Sequence, residues 1–128
     1  MDITKLTANV KQHYALNDAP RMGMGISPAL LVVDFIEGFT NSKSPLAGNW
    51  DKEVNNTAVL MEEMRKKGKP VIFTTVEFTA AEIKTNLLYL KTPRIETLML
   101  GSMWTDIDQR LPKIDEDIVI SKKYGSAF

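Results

Sequence analysis

No cysteine occurs anywhere in the 128 residues. That absence excludes disulfides, thiolate metal sites and a cysteine nucleophile within this chain. An excess of charge of one sign is lacking too, since sixteen basic and sixteen acidic residues cancel. A balanced chain has no electrostatic grip on nucleic acid or anionic lipid, so neither is an expected partner. The apolar runs are too short to span a bilayer, and the polar start over residues 1–13 is unlike a signal peptide. A cytosolic location is the expectation. The sequon Asn55-Asn56-Thr57 carries no weight without a secretion signal. Histidine is nearly as scarce. His13 stands alone, with no companions at ligand spacing, and reads as a surface or packing residue rather than a metal ligand or base.

What remains is an ordinary globular composition, 44% hydrophobic and 25% charged, which predicts a single soluble α/β domain. Its organising stretch is Pro28 to Gly48. Ala29 to Val33 is an apolar run without polar alternation, the pattern of a strand buried on both faces of a parallel sheet. Asp34 stands where the run ends. An acid there either faces the crevice in which open α/β sheets bind ligands or caps the turn that follows. The loop beyond is rich in turn formers. Phe35, Phe39 and Leu46 within it either line a pocket or pin the loop to the core.

Upstream, Ile3, Leu6, Val10 and Tyr14 recur at helical spacing and predict a short amphipathic helix over residues 2–16. A connector with Gly23 and Gly25 follows; these glycines precede the strand, so they make no dinucleotide loop. Downstream, Val54, Ala58, Met61 and Met64 predict a strong helix that Asp51 caps and Lys66-Lys67-Gly68 closes. Pro70–Val76 is the second strand, ending at Glu77, which reads as a solvated edge residue or a substrate contact. Strand, helix and strand make a right-handed parallel βαβ unit. Residues 78–96 predict a helical turn and loop over the same edge. Trp104, Ile107 and Leu111 fall at helical spacing in the next segment and read as core, and Asp117–Lys123 is the third strand. With strand order 3-2-1, the first and third strands lie about 10 Å apart, at ~4.8 Å per step. A lysine arm covers much of that gap, which brings Asp34 and Lys122 into one crevice.

The segments ALLVVDFIEGFT, SPLAG, PVIFTTVEF, GSMWTDID and VISKKYGSAF resemble, in order, landmarks of the isochorismatase-like cysteine hydrolases. The likeness is greatest to the N-carbamoylsarcosine amidase branch and covers about residues 21–128. The resemblance implies a doubly wound, three-layer parallel sheet of order 3-2-1-4-5-6, of which this chain supplies the first three strands. It implies an amidohydrolase that cleaves the C–N bond of a small carbamoyl or amide compound through a Cys-Asp-Lys triad. Asp34 matches the family aspartate and Lys122 the family lysine, with Lys123 the weaker match. Phe35, Phe39 and Glu77 are the expected substrate-binding residues. No cofactor and no metal is expected, because His13 lies upstream of the matching region. The expected cysteine falls after a fourth strand, beyond Phe128. Residues 1–128 therefore read as the N-terminal part of one hydrolase domain, with residues 1–25 its leading helix and connector. The expected partners are a small amide substrate, a second polypeptide or C-terminal half that carries the cysteine, and further copies in a dimer or tetramer. The alternatives are a vinyl-ether hydrolase that uses the aspartate as acid, or an inactive fragment that serves as an assembly partner.

Overall fold

Three parallel strands form one open sheet, flanked by helices, in a computed structural model that describes residues 25–127. The helix expected over residues 2–16 lies outside the described residues. The elements run β1 (Leu30–Val33), α1 (Glu37–Thr40), α2 (Asp51–Lys66), β2 (Val71–Val76), α3 (Ala80–Thr85) and α4 (Leu87–Lys91). Two 3-10 helices, Pro93–Leu98 and Met103–Thr105, then lead to β3 (Ile118–Lys122). β2 is central, with Leu30 opposite Val71 on one side and Ile118 opposite Ile72 on the other. The expected order 3-2-1 is observed.

Helix α2 forms as its spacing predicts. Val54 and Met61 are fully buried, and one face of β1 and β2 meets them through Val32, Val71 and Phe73. Asp51 is the first helical residue rather than the cap, and Trp50 precedes it without a side-chain bond to the helix end. The carboxyl end closes at Lys67 and Gly68, whose φ of 62° is the left-handed conformation that glycine adopts freely. Arg65 ties this end to the β3 approach, donating to the Pro112 carbonyl and pairing with Asp117.

A second cluster gathers Ile36, Val76, Phe78, Ile83, Ile95 and Leu98 at the carboxyl end of the sheet. α3 begins in a capping box: Thr79 accepts from the Glu82 N–H while the Glu82 carboxylate accepts from the Thr79 N–H. Asn86 caps α4, accepting from the Leu88 N–H, and its amide donates to the Lys123 carbonyl at 3.0 Å. This helical cover over the strand ends is the feature expected for residues 78–96.

Two expectations change. β1 was expected to be buried on both faces, yet Leu31 and Val33 are 51% and 52% exposed. Ile118 and Ile120 of β3 are exposed as well. α2 covers one sheet face, and among the described residues nothing comparable covers the other. The helical spacing of Trp104, Ile107 and Leu111 forms no α-helix. Only a 3-10 turn forms, and Ile107 instead bridges Ile36 in an antiparallel pair. Leu111 is nevertheless buried, against the α2 cluster. Apolar spacing here follows contact with two clusters rather than a helical turn.

Removing the buried Met61 side chain leaves a cavity between α2 and the sheet. Met61→Ala is expected to destabilise the protein by about 2–5 kcal/mol, whereas Val59→Ala on the exposed side of α2 changes stability by less than about 0.5 kcal/mol. Urea midpoints of the two variants, compared side by side, measure the difference.

Candidate active site at the carboxyl edge of the sheet

Sheet register places the candidate groups before any contact between them is considered. Val33 lies opposite Thr74, and Val76 lies opposite Lys122. Because side chains alternate along a strand, Val33, Thr74, Val76 and Lys122 share one face. Continued alternation would send Asp34 to the opposite face, under α2. It does not go there. Asp34 has φ of 60°, the one positive φ at a non-glycine among the described residues. A side chain in the left-handed region is held there at a cost of about 1–3 kcal/mol and needs surrounding contacts to persist.

Those contacts come from β2. The Asp34 N–H donates to the Thr74 carbonyl at 3.2 Å and to the Thr74 hydroxyl at 3.1 Å. The same hydroxyl donates to Asp34 Oδ1 at 2.7 Å. The turn closes with the Ile36 N–H donating to the Asp34 carbonyl at 2.9 Å. Asp34 thus serves both readings left open by the sequence, since it shapes the turn and presents its carboxylate to the strand ends.

Lys122 reaches that carboxylate across β2. Its Nζ lies 2.8 Å from Asp34 Oδ2, with the lysine side chain 5% exposed and the aspartate side chain 24% exposed. The ammonium also donates to the carbonyls of Tyr124 at 3.0 Å and Gly125 at 3.4 Å. Three donors meet three acceptors, so no N–H of this buried group is left without a partner. Lys123, one residue on, points elsewhere, donating to the Glu77 carbonyl at 2.7 Å and pairing with Glu82 at 3.3 Å. Strand alternation alone separates these two lysines.

Two hollows meet at Asp34. One, of about 130 Å³, is lined by Phe39, Val76, Phe78 and Leu88 together with Asp34 and Lys122. The other, of about 450 Å³, runs beside Val33, Phe35, Phe39, Leu46 and Trp50. Phe35 and Phe39 are therefore beside the carboxylate while also packing on the two clusters. Glu77 lines neither hollow, and its carbonyl anchors Lys123 instead. Among the described residues, no group of three or more His, Cys, Asp or Glu is arranged to hold a metal ion.

The segment of α1 and the turn after it, which carries Phe39, is fastened by charges that sequence reasoning did not single out. Buried Glu37 accepts from the Gln109 N–H at 3.1 Å and from the Asn41 amide at 2.8 Å. Asp108, also buried, accepts from Arg110 Nε at 2.9 Å and pairs with Arg110 Nη2 at 2.6 Å. Arg110 extends to Asp51 at 2.5 Å, linking this loop to the start of α2. Burial raises the Asp108 pKa, but the hydrogen bonds and charge of Arg110 outweigh it and hold the carboxyl below its ordinary value of 3.8. Thr74 was missed as well. The signal available was a hydroxyl amid the apolar residues of a central strand, where an unpaired polar group is costly.

Comparison with known proteins follows the same outline. The family model for the isochorismatase domain matches residues 28–128. N-carbamoylsarcosine amidase of an Arthrobacter species is 32% identical over 114 residues, covering 84% of this chain and 43% of that protein. Maleamate amidohydrolase of Pseudomonas putida is 28% identical over 110 residues, covering 84% and 52%. Among solved structures, a cysteine hydrolase from Pseudomonas syringae superposes with a TM-score of 0.71 at 18% identity, covering 78% of this chain and 48% of that one. This chain spans about half the length of the curated relatives it matches.

A depressed carboxyl contributes stability that is present above its unfolded pKa and lost as pH falls through the folded one. Asp108→Asn is therefore expected to be less stable than the parent at pH 7, and the gap should narrow as pH falls below about 4. Melting temperatures of both proteins across that range test the sign.

Proposed function

Since the chain belongs to the isochorismatase family, we propose that it forms the Asp-Lys half of an amidohydrolase acting on a small carbamoyl or amide compound. The observation that carries this reading is the 2.8 Å contact between Asp34 and Lys122 at the carboxyl ends of β1 and β3. A cationic neighbour favours the ionised carboxylate, and an ionised carboxylate is what a general base needs. The amide relatives and the two hollows beside Asp34 support the choice of substrate class.

In this proposal the nucleophile is a cysteine from outside residues 1–128, on a second polypeptide or on a continuation of this one. Asp34 takes the thiol proton, and Lys122 holds the charges of carboxylate and thiolate together. The thiolate attacks the amide carbonyl, and backbone N–H groups beside the cysteine receive the oxyanion. The C–N bond breaks as Asp34 returns the proton to the departing nitrogen. Water then cleaves the thioester, releasing the acid and restoring the thiol. Phe35 and Phe39 contribute apolar walls, and Glu77 acts only through the carbonyl that anchors Lys123. The remaining strands pair along the open edge of β1, and helices between them cover the face that exposes Leu31, Val33, Ile118 and Ile120. The assembled protein is a dimer or tetramer.

Ammonia release from N-carbamoylsarcosine and from maleamate, assayed on the assembled protein, tests the reaction class. Asp34→Asn is expected to lower turnover by about 10²–10⁴-fold, the usual contribution of a general base, with the protein still folded. Lys122→Ala is expected to do the same. Near-normal turnover in either variant would remove the pair from the mechanism. Intact mass under denaturing conditions tests the source of the nucleophile: a cysteine-bearing partner or a longer chain is expected, and an active protein containing only the 14.4 kDa chain would contradict it.

A further inference from the structure

Thr74 is the residue on which the placement of Asp34 converges. It is 2% exposed, and its hydroxyl is fully committed. A hydroxyl has one proton to give, and here that proton is given to Asp34 Oδ1 at 2.7 Å. The oxygen accepts in return from the Asp34 N–H at 3.1 Å, while the Thr74 carbonyl accepts from the same N–H at 3.2 Å. One side chain thus grips both the backbone and the carboxylate of the residue that occupies the left-handed region.

The two oxygens of Asp34 divide between two holders, Oδ1 on Thr74 and Oδ2 on Lys122. Two fixed points determine the plane of a carboxylate, whereas Lys122 alone leaves it free to turn about its Cβ–Cγ bond. Register explains why β2 supplies the second point. Thr74 lies opposite Val33, one residue before Asp34, and two residues before Val76, which lies opposite Lys122. The hydroxyl therefore sits on the sheet face of the lysine, beside the strand end from which Asp34 departs.

We propose that Thr74 is a positioning residue of the active site, which holds the left-handed turn at Asp34 and orients its carboxylate toward Lys122. This inference rests on the Asp-Lys reading above for its catalytic consequence but not for its geometry. The hydrogen bonds act on a charged group, where each is stronger than a neutral one. Serine keeps the hydroxyl, whereas valine keeps the shape and removes it.

The test compares Thr74→Val with Thr74→Ser in the assembled protein. With N-carbamoylsarcosine as probe, the valine variant is expected to lose about 10–100-fold in kcat with KM changed by less than about twofold. The serine variant is expected to recover to within about threefold of the parent. Nuclear magnetic resonance of the labelled chain gives a readout independent of turnover. The through-hydrogen-bond coupling between Lys122 Nζ and Asp34 Cγ is expected in the parent and the serine variant, and lost in the valine variant. Retention of that coupling in Thr74→Val would overturn the proposal, whether or not the parent cleaves the probe. Equal losses in the serine and valine variants would also overturn it. A parent without ammonia release, but with the expected pattern of couplings, would count against the reaction class and in favour of the positioning role.

Discussion

The pair formed by Asp34 and Lys122 depends on a single strand lying between them. β2 separates their strands by two hydrogen-bonded steps, and only a long side chain entering from one flank spans that distance to meet a turn on the other. The Lys122 side chain is 5% exposed, and its three donors find a carboxylate and two carbonyls. Breaking a buried pair by removing one partner is costly, since the remaining charge is left without compensation. The register of three strands, the left-handed turn after β1 and the bend after β3 are therefore coupled. A slip of β3 by one residue would turn Lys122 to the other face and put Ser121 or Lys123 in its place.

Packing serves this arrangement unequally on the two faces. On one, α2 buries Val54 and Met61 against Val32, Val71 and Phe73, which fixes β1 and β2 against each other. At the carboxyl end, the cluster around Ile36, Phe78 and Leu98 holds the loops that frame Asp34. The Asp108–Arg110–Asp51 chain and the buried Glu37 tie those loops to α2. On the opposite sheet face Leu31, Val33, Ile118 and Ile120 stand in solvent, while Val76 is buried in the carboxyl-end cluster. Such residues suit a parallel sheet covered on both sides, and the chain matches only about half the length of its curated relatives.

Much of the fold was legible because its signals are local. The apolar run of β1, the β-branched run of β2 and the helical spacing of α2 each state their element within a dozen residues. A helix between two such strands then forces a parallel, right-handed unit. In one segment helical spacing marked core residues without a helix. Trp104, Ile107 and Leu111 are three and four apart, yet two of them serve contacts in an irregular segment, with Ile107 bridged to Ile36 and Leu111 set under α2. Burial of β1 on both faces was overestimated because an apolar strand records the partners it is suited to, and a second layer is not present among the described residues.

The sequence by itself determined where two opposite charges fall: an acid at the end of one apolar strand and a lysine at the end of another, with no thiol between. It also determined that the first two strands lie parallel, because a long helix connects them. Only the tertiary structure decided how the acid is aimed. A strand's alternation directs Asp34 away from Lys122, and nothing in its neighbours announces a positive φ. The reversal comes from Thr74, forty residues away, whose hydroxyl and carbonyl capture the Asp34 N–H and whose proton captures its carboxylate. A local pattern cannot encode a contact of that range, because it exists only once β1 and β2 have paired in register.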